Sequence, residues 1–227
     1  MFLRLLIEKE SSTFTYVIAD LESRKALVID PVFEDFERLK NQIKQLCFDL
    51  VYSLETHLHA DHVSCGALLK KEFGTKLVSN KMSGILNSDI YLDHLQKLDL
   101  GTQQIQGLYT PGHTDGDMCY LFEGHVFTGD VLHHRGCGRT DFQNGSAERL
   151  YSSIKNNLYT LPVNTVVHPG HDYKGNTSST IFEEMEYNPR INKLTTQEEF
   201  KQTMDALKLD YPKKMDIAVP RNKYSGE

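Results

Sequence analysis

The tightest constraint on this chain is a seven-residue segment, Thr56-His57-Leu58-His59-Ala60-Asp61-His62, which places three imidazoles and a carboxylate directly after the β-type run Leu50 to Leu54. In a strand, successive side chains point to opposite faces, so His57 and His59, at the point where the strand runs out, can point the same way and reach one ion. Asp61 and His62 fall where the chain turns toward a helix, and the carboxyl end of a strand is where open sheets place ligand chemistry. Crowding this many potential cations together is costly without a metal or a counterion. The segment reads as a metal site in outline.

Composition leaves room for such a fold and narrows its partners. The 227 residues suffice for one large domain, and no repeat, low-complexity tract or linker interrupts them, so a single domain over 1–227 is expected. Thirty-one acidic residues against 25 basic ones give a net charge of −6. That balance is too modest and too scattered for nucleic-acid binding, and small molecules are the expected partners. No apolar run approaches a membrane span, and the opening MFLRLLIEKE lacks the features of a secretory signal or a transit peptide. A cytoplasmic, bacterial setting is expected, with a processed form in the mitochondrial matrix as the other option. The cysteines at 47, 65, 119 and 137 form no C-x-x-C pair. Cys47 and Cys119 are expected as small buried hydrophobes, and Cys137, between glycines, as a packing residue.

β-type runs recur at Phe2 to Ile7, Phe14 to Ala19, Ala26 to Ile29 and Leu50 to Leu54. Between the last two, Phe36, Leu39, Ile43, Leu46 and Cys47 recur at helical spacing across Glu34 to Cys47, which makes a β-α-β unit. A second helix ahead of Phe73-Gly74 ends in a glycine cap, and Lys76 to Ser79 resumes a strand. Further strands are expected at Ile105 to Tyr109, Met118 to Phe122, His125 to Thr128 and Thr165 to Val167. Helices are expected over Ala147 to Leu158 with Ser146 as N-cap, over Ser179 to Tyr187, and over Thr196 to Leu207. Strands interleaved with helices in both halves predict layers of helices flanking packed sheets.

The first cluster is not alone. Leu108-Tyr109-Thr110 runs into Pro111-Gly112-His113-Thr114, Val126-Phe127-Thr128 into Gly129-Asp130, and Val166-Val167 into His168-Pro169-Gly170-His171-Asp172. Each is a strand, a tight glycine turn and a metal-capable side chain, and glycine lets the backbone turn sharply enough to aim the next residue into a cleft. In the order THxHxDH, GHT, GD, GH, the chain resembles the metallo-β-lactamase fold superfamily over nearly its whole length. The resemblance implies an α/β (α+β) fold, an αββα sandwich of two mixed sheets flanked by helices, with the metal cleft at one edge of the sheets. Chemistry is not settled by that fold, which hosts several reactions.

Three finer stretches narrow the family. Arg135-Gly136-Cys137-Gly138-Arg139-Thr140-Asp141-Phe142, the run through His171-Asp172-Tyr173, and the ending Asp216 to Asn222 together resemble the persulfide dioxygenase family. Type II glyoxalases share the GCGR element but usually continue with aromatic residues and carry a longer helical C-terminal domain. What the resemblance implies is an iron-dependent oxidoreductase of sulfide oxidation: one Fe(II) per chain held by His57, His113 and Asp130, with glutathione persulfide and O2 as substrates and sulfite and glutathione as products. Two imidazoles and one carboxylate also form the facial triad of non-haem Fe(II) oxygenases. By the same resemblance His59, Asp61, His62, His171 and Asp172 support the centre by hydrogen bonds, and Tyr173, Asp61 and His62 are the catalytic candidates. Arg139, then Arg135, with Tyr173, are the candidates for binding the tripeptide; the alternative for Arg139 is a structural pair with Asp141 or Asp172. A homodimer is in keeping with the family. Spacing alone leaves the number of metals open, because every residue a binuclear site needs is retained. The alternative is therefore a glyoxalase-II-like binuclear hydrolase of glutathione thioesters. His133-His134 stand where the family pattern leads one to expect apolar residues, and His94 and His125 are expected at the surface.

Overall fold

Alternation in the strands divides their side chains between a central core and two outer ones. In the computed structural model, which describes residues 1–227, β1 (Phe2–Ile7), β2 (Phe14–Ala19) and β3 (Lys25–Ile29) form an antiparallel run. The sheet then continues in parallel through β4 (Asp49–Leu54), β5 (Lys76–Asn80) and β6 (Ile90–Leu92). Between β3 and β4 lies α1 (Phe36–Leu46), and between β4 and β5 lies α2 (Gly66–Phe73). Phe14, Tyr16, Ile18, Leu27 and Ile29 point to one face, while Val17, Ala19, Ala26 and Val28 point to the other, where Leu39 and Ile43 of α1 and Leu69 of α2 cover them.

The second sheet runs β7 (Lys97–Leu100), β8 (Gln103–Tyr109), β9 (Met118–Phe122), β10 (His125–Gly129), β11 (Val166–Pro169) and β12 (Ser179–Thr180) in spatial order, antiparallel except where β10 meets β11. Its inner face, with Ile105, Met118, Tyr120, Phe122 and Phe127, closes the central core against the first sheet. Its outer face packs on α3 (Ala147–Ser153), which widens into a π-helical turn over Ile154–Leu158, and on α4 (Ile181–Tyr187) and α5 (Gln197–Asp205). Last comes α6 (Met215–Asn222). The result is two mixed sheets flanked by helices, as the sequence led one to expect. Ile181 and Met204 lie in the outer core.

Several local expectations shift. β6, β7, β12 and α6 are additional to the sequence reading, and the helix expected from Ser179 begins at Ile181 because Thr180, still in β12, caps it by accepting from Glu183 N at 3.2 Å. Thr196 caps α5 in a capping box with Glu199. Cys47 is not a buried hydrophobe: it ends α1 in the left-handed conformation (φ 52°) and is exposed, whereas Cys65, Cys119 and Cys137 are buried.

Nor is His125 a free surface residue. Its Nδ1 lies 2.9 Å from Nε2 of His168, which stacks at 4.8 Å on Phe127 and meets Tyr16 edge-on. Burial, and then the neighbouring His125, push the His168 pKa down to about 4, so the ring is neutral in the fold. Its unfolded value is about 6.5, so acid favours the unfolded chain: the contribution is whole above about pH 6.5 and is lost as pH falls to about 4, by roughly 3 kcal/mol. Urea denaturation across that window should therefore show a shallower acid loss of stability in His168→Phe than in the parent, and parallel curves would exclude this ring as the titrating group.

Candidate metal centre

The cleft forms where β4, β8, β10 and β11 end. Each strand delivers one of the sequence-predicted donors: His57 follows β4, His113 the turn after β8, Asp130 follows β10, and His171 follows β11. One ligand atom each of His57, His113 and Asp130 lie within 4.8 Å of one another. Nε2 of His113 is 3.6 Å from Oδ2 of Asp130.

Hydrogen bonds fix which nitrogens face the site. The Thr56 hydroxyl donates its one proton to Asp30 Oδ2 at 2.8 Å, so its 3.0 Å contact with His57 Nδ1 requires the imidazole to donate. His113 Nδ1 lies 2.7 Å from the Arg139 carbonyl, which can only accept. Both rings thus carry the proton on Nδ1 and present a bare Nε2, the arrangement a metal-binding histidine needs. Burial, then the neighbouring His59 and His113, hold His57 well below the usual histidine range and so neutral. For Asp130 burial works in the opposite sense, but His171 and then His133 outweigh it and hold the carboxylate ionised. Two neutral nitrogens and one anionic oxygen fit a divalent cation. Close packing holds them there: a Cβ on Gly138 would sit 2.3 Å from the Asp130 carbonyl oxygen and 2.9 Å from His113 Nδ1, and one on Gly170 would sit 2.8 Å from Asp130 Oδ1. Only glycine fits at either position.

A second donor group, His59, Asp61 and His62, adjoins the first. His62 Nδ1 and Thr13 Oγ1 lie 3.0 Å from Asp61 Oδ2, and His171 Nε2 lies 3.4 Å from that oxygen and 3.6 Å from Asp130 Oδ1. His171 is oriented from behind, its Nδ1 donating to the Ser12 carbonyl at 3.2 Å. Sequence reasoning missed what stands behind His59: the buried Asp30 and Glu55, whose carboxylate oxygens lie 3.0 and 3.3 Å from its Nε2. Burial alone would lower the His59 pKa, but these two acids keep it well above the ordinary value. Asn222 of α6 was also missed as a contact. Its amide donates to the carbonyls of His59 and His62 at 2.9 and 2.8 Å and accepts from Ser64 N at 2.8 Å, pinning the whole donor loop. The motif-bearing ending thus acts at the centre from outside the sheets.

The remaining candidates sort by contact. Tyr173 is 76% exposed and its ring lies parallel to His171 at 6.0 Å, at the mouth of a cleft of about 570 Å³. Asp172 accepts from the backbone N–H groups of Lys174 and Asn176, both at 2.7 Å, and shapes that loop. His133 reaches inward, its Nε2 3.2 Å from Asp130 Oδ1, while His134 lines the cleft. The two arginines expected to grip substrate are already paired. Arg135 holds Glu184 at 2.5 Å and Glu183 at 3.2 Å, and Arg139 forms a two-pronged pair with Asp141 at 2.6 and 2.8 Å while donating to the Asp210 carbonyl at 2.7 Å. For both, local acids have taken the geometry a ligand carboxylate would use.

Comparison with known proteins places these features in a lineage. The Metallo-beta-lactamase superfamily profile matches residues 9–171. The mitochondrial persulfide dioxygenase ETHE1 of Bos taurus is 41% identical over 229 residues, covering 100% of this chain and 89% of the relative, and its Homo sapiens counterpart is 40% identical over the same shares. The crystal structure of ETHE1 from Myxococcus xanthus superimposes with a TM-score of 0.97 at 42% identity, covering 100% of both chains.

Proposed function

We propose, from the premise that this chain belongs to the metallo-β-lactamase superfamily and within it to the persulfide dioxygenases, that it is a mononuclear Fe(II) enzyme that oxidises the outer sulfur of glutathione persulfide with O2 to sulfite and releases glutathione. What supports this best is the convergence of two bare imidazole nitrogens and one carboxylate, from His57, His113 and Asp130, in a chain alike over its full length to persulfide dioxygenases. Ferrous iron held by these three would supply the redox change that O2 chemistry requires and that zinc lacks, with coordination positions left for both reactants.

The chain's own residues prepare that chemistry. Asp30 orients Thr56, Thr56 fixes the His57 tautomer, and the Arg139 carbonyl fixes that of His113. Asp130 is kept ionised chiefly by His171 beside it, so it needs to lose no proton when a cation binds. His59 is engaged through Nε2 with Asp30 and Glu55, and Asp61 with His62 Nδ1 and His171, while His59 Nδ1 and His62 Nε2 are buried without a hydrogen-bond partner. Tyr173, with its hydroxyl unbonded at the cleft mouth, is placed to donate to an incoming sulfur, and Asp61, paired with His62, supports the centre through His171, which faces Asp130. Holding both reactants in one cleft converts their encounter into a positioned reaction.

Anaerobic purification followed by elemental analysis, and an oxygen electrode with glutathione persulfide, tests this directly. One iron per chain with O2 uptake and sulfite formation is expected. Two metals per chain with hydrolysis of S-lactoylglutathione and no O2 uptake would instead establish the binuclear hydrolase, whose donor residues are all present.

A further inference from the structure

Each of the three donors is held from behind by one hydrogen bond. His57 Nδ1 donates to the Thr56 hydroxyl, His113 Nδ1 to the Arg139 carbonyl, and Asp130 Oδ1 accepts from His133 Nε2 at 3.2 Å. An ionised carboxylate can only accept, so the proton of that last bond is on His133 Nε2. It is the only hydrogen bond that either carboxylate oxygen of Asp130 receives. Thr56 and Arg139 lie in the stretches that carry the family resemblance. His133 stands where that pattern leads one to expect an apolar residue, so this third contact is one the resemblance does not supply.

The turn after β10 fixes the ring in place. The Thr128 hydroxyl donates to the Leu132 carbonyl at 2.6 Å, and His133 and Gly136 exchange backbone bonds at 3.0 and 3.3 Å. Arg135, inside that turn, takes a left-handed φ of 56°, and Val131 and Leu132 just ahead of it are buried in the outer core. His133 itself is half-buried, its ring edge-on to His171 at 6.3 Å. The two oxygens of Asp130 are thereby distinguished. Oδ2 faces the other donors, 3.6 Å from His113 Nε2, whereas Oδ1 is turned to His133 and lies 3.6 Å from His171 Nε2. Gly170 closes the remaining side, since a Cβ there would sit 2.8 Å from Oδ1. We propose that His133 is a positioning residue: its Nε2–H holds Oδ1 and commits Oδ2 alone to the metal, making Asp130 a one-oxygen ligand. This rests on the iron centre of the persulfide dioxygenase reading above. A carboxylate pinned in this way meets the ion already oriented, which is what partners behind metal ligands contribute to affinity.

The test is an anaerobic competition for Fe(II) between a chelator and the full chain, as wild type, His133→Leu, His133→Phe and His133→Gln. His133→Leu removes the donor and puts an apolar side chain in its place, and should weaken iron binding about 10-fold or more. His133→Phe keeps the ring without the donor and should follow it; this variant carries the test if His133→Leu does not fold. His133→Gln, whose amide NH2 can reach Oδ1 as the imidazole does, should stay within about 3-fold of wild type. A packing role would sort the variants differently, grouping His133→Phe with wild type and His133→Gln with His133→Leu. That order, or wild-type affinity in the variants without the donor, overturns the assignment while the dioxygenase reading stands. Wild-type protein that holds no iron, or that takes up no O2 with glutathione persulfide once loaded, overturns the reading on which the assignment rests.

Discussion

Asp130→Ala is expected to leave a folded protein that retains no iron and consumes no O2 with glutathione persulfide. Asp130 is the one anionic member of the three-donor group, and its removal leaves two neutral imidazoles, too few to hold a ferrous ion against solvent. The loss should far exceed the roughly 10- to 100-fold weakening that follows from deleting a residue behind the ligands. Asp130→Asn separates charge from shape: it fills the same space beside Gly170 but cannot neutralise the cation, and it should behave nearly as badly as alanine. His113→Ala should match it from the other side of the site. Elemental analysis after anaerobic loading, paired with the oxygen electrode, reads both properties. An Asp130→Ala protein that still carries one iron per chain and turns over would remove this residue from the ligand set.

Much of this was legible because it depends on local rules. The alternation Phe14, Tyr16, Ile18 against Val17 and Ala19 announces a strand covered on both faces, and the glycine turns before His113, Asp130 and His171 mark where strands hand a donor to the cleft. What could not be read is long-range pairing. Asp30 looks like an ordinary acid at a strand end, and only the parallel register of β3 on β4 sets it beside Thr56 and His59, 26 and 29 residues on. His125 and His168 are 43 residues apart and meet only because β10 and β11 are parallel neighbours. Arg135 has its partner 49 residues away on α4, so it reads in sequence as a free cation. β6 and β7 carry only three and four residues, too few for a periodicity to show, and Pro220 inside α6 disguised a helix whose Asn222 anchors the donor loop. The acid partners of the two candidate tripeptide-binding arginines escaped or only half-emerged from the sequence for the same reason: Asp141, two residues from Arg139, could be offered as an alternative partner, whereas Glu184 could not.

The buried Asp30 is where fold and site are most tightly joined, and two substitutions there should have separable effects. In Asp30→Ala, His59 loses the closer of its two carboxylate partners and the Thr56 N–H loses the acceptor it meets at 2.7 Å. A buried ion pair stripped of one of its two carboxylates and an orphaned donor cost about 3–5 kcal/mol together, a large share of the roughly 5–15 kcal/mol that stabilises a typical domain. Urea denaturation of the metal-free protein should show that loss in full. Asp30→Asn keeps the volume and acts differently. Two N–H donors, Thr56 N and His59 Nε2, converge on Oδ1, so the amide oxygen must lie there and the NH2 must face the Thr56 hydroxyl. That hydroxyl then accepts from the amide and turns its own proton toward His57 Nδ1. The imidazole responds by carrying its proton on Nε2, the nitrogen that the ion requires bare. Asp30→Asn should therefore weaken iron binding about 10- to 100-fold in a chelator competition while costing markedly less stability than Asp30→Ala. Wild-type iron affinity in the asparagine variant would show that the Asp30–Thr56–His57 chain does not set the tautomer.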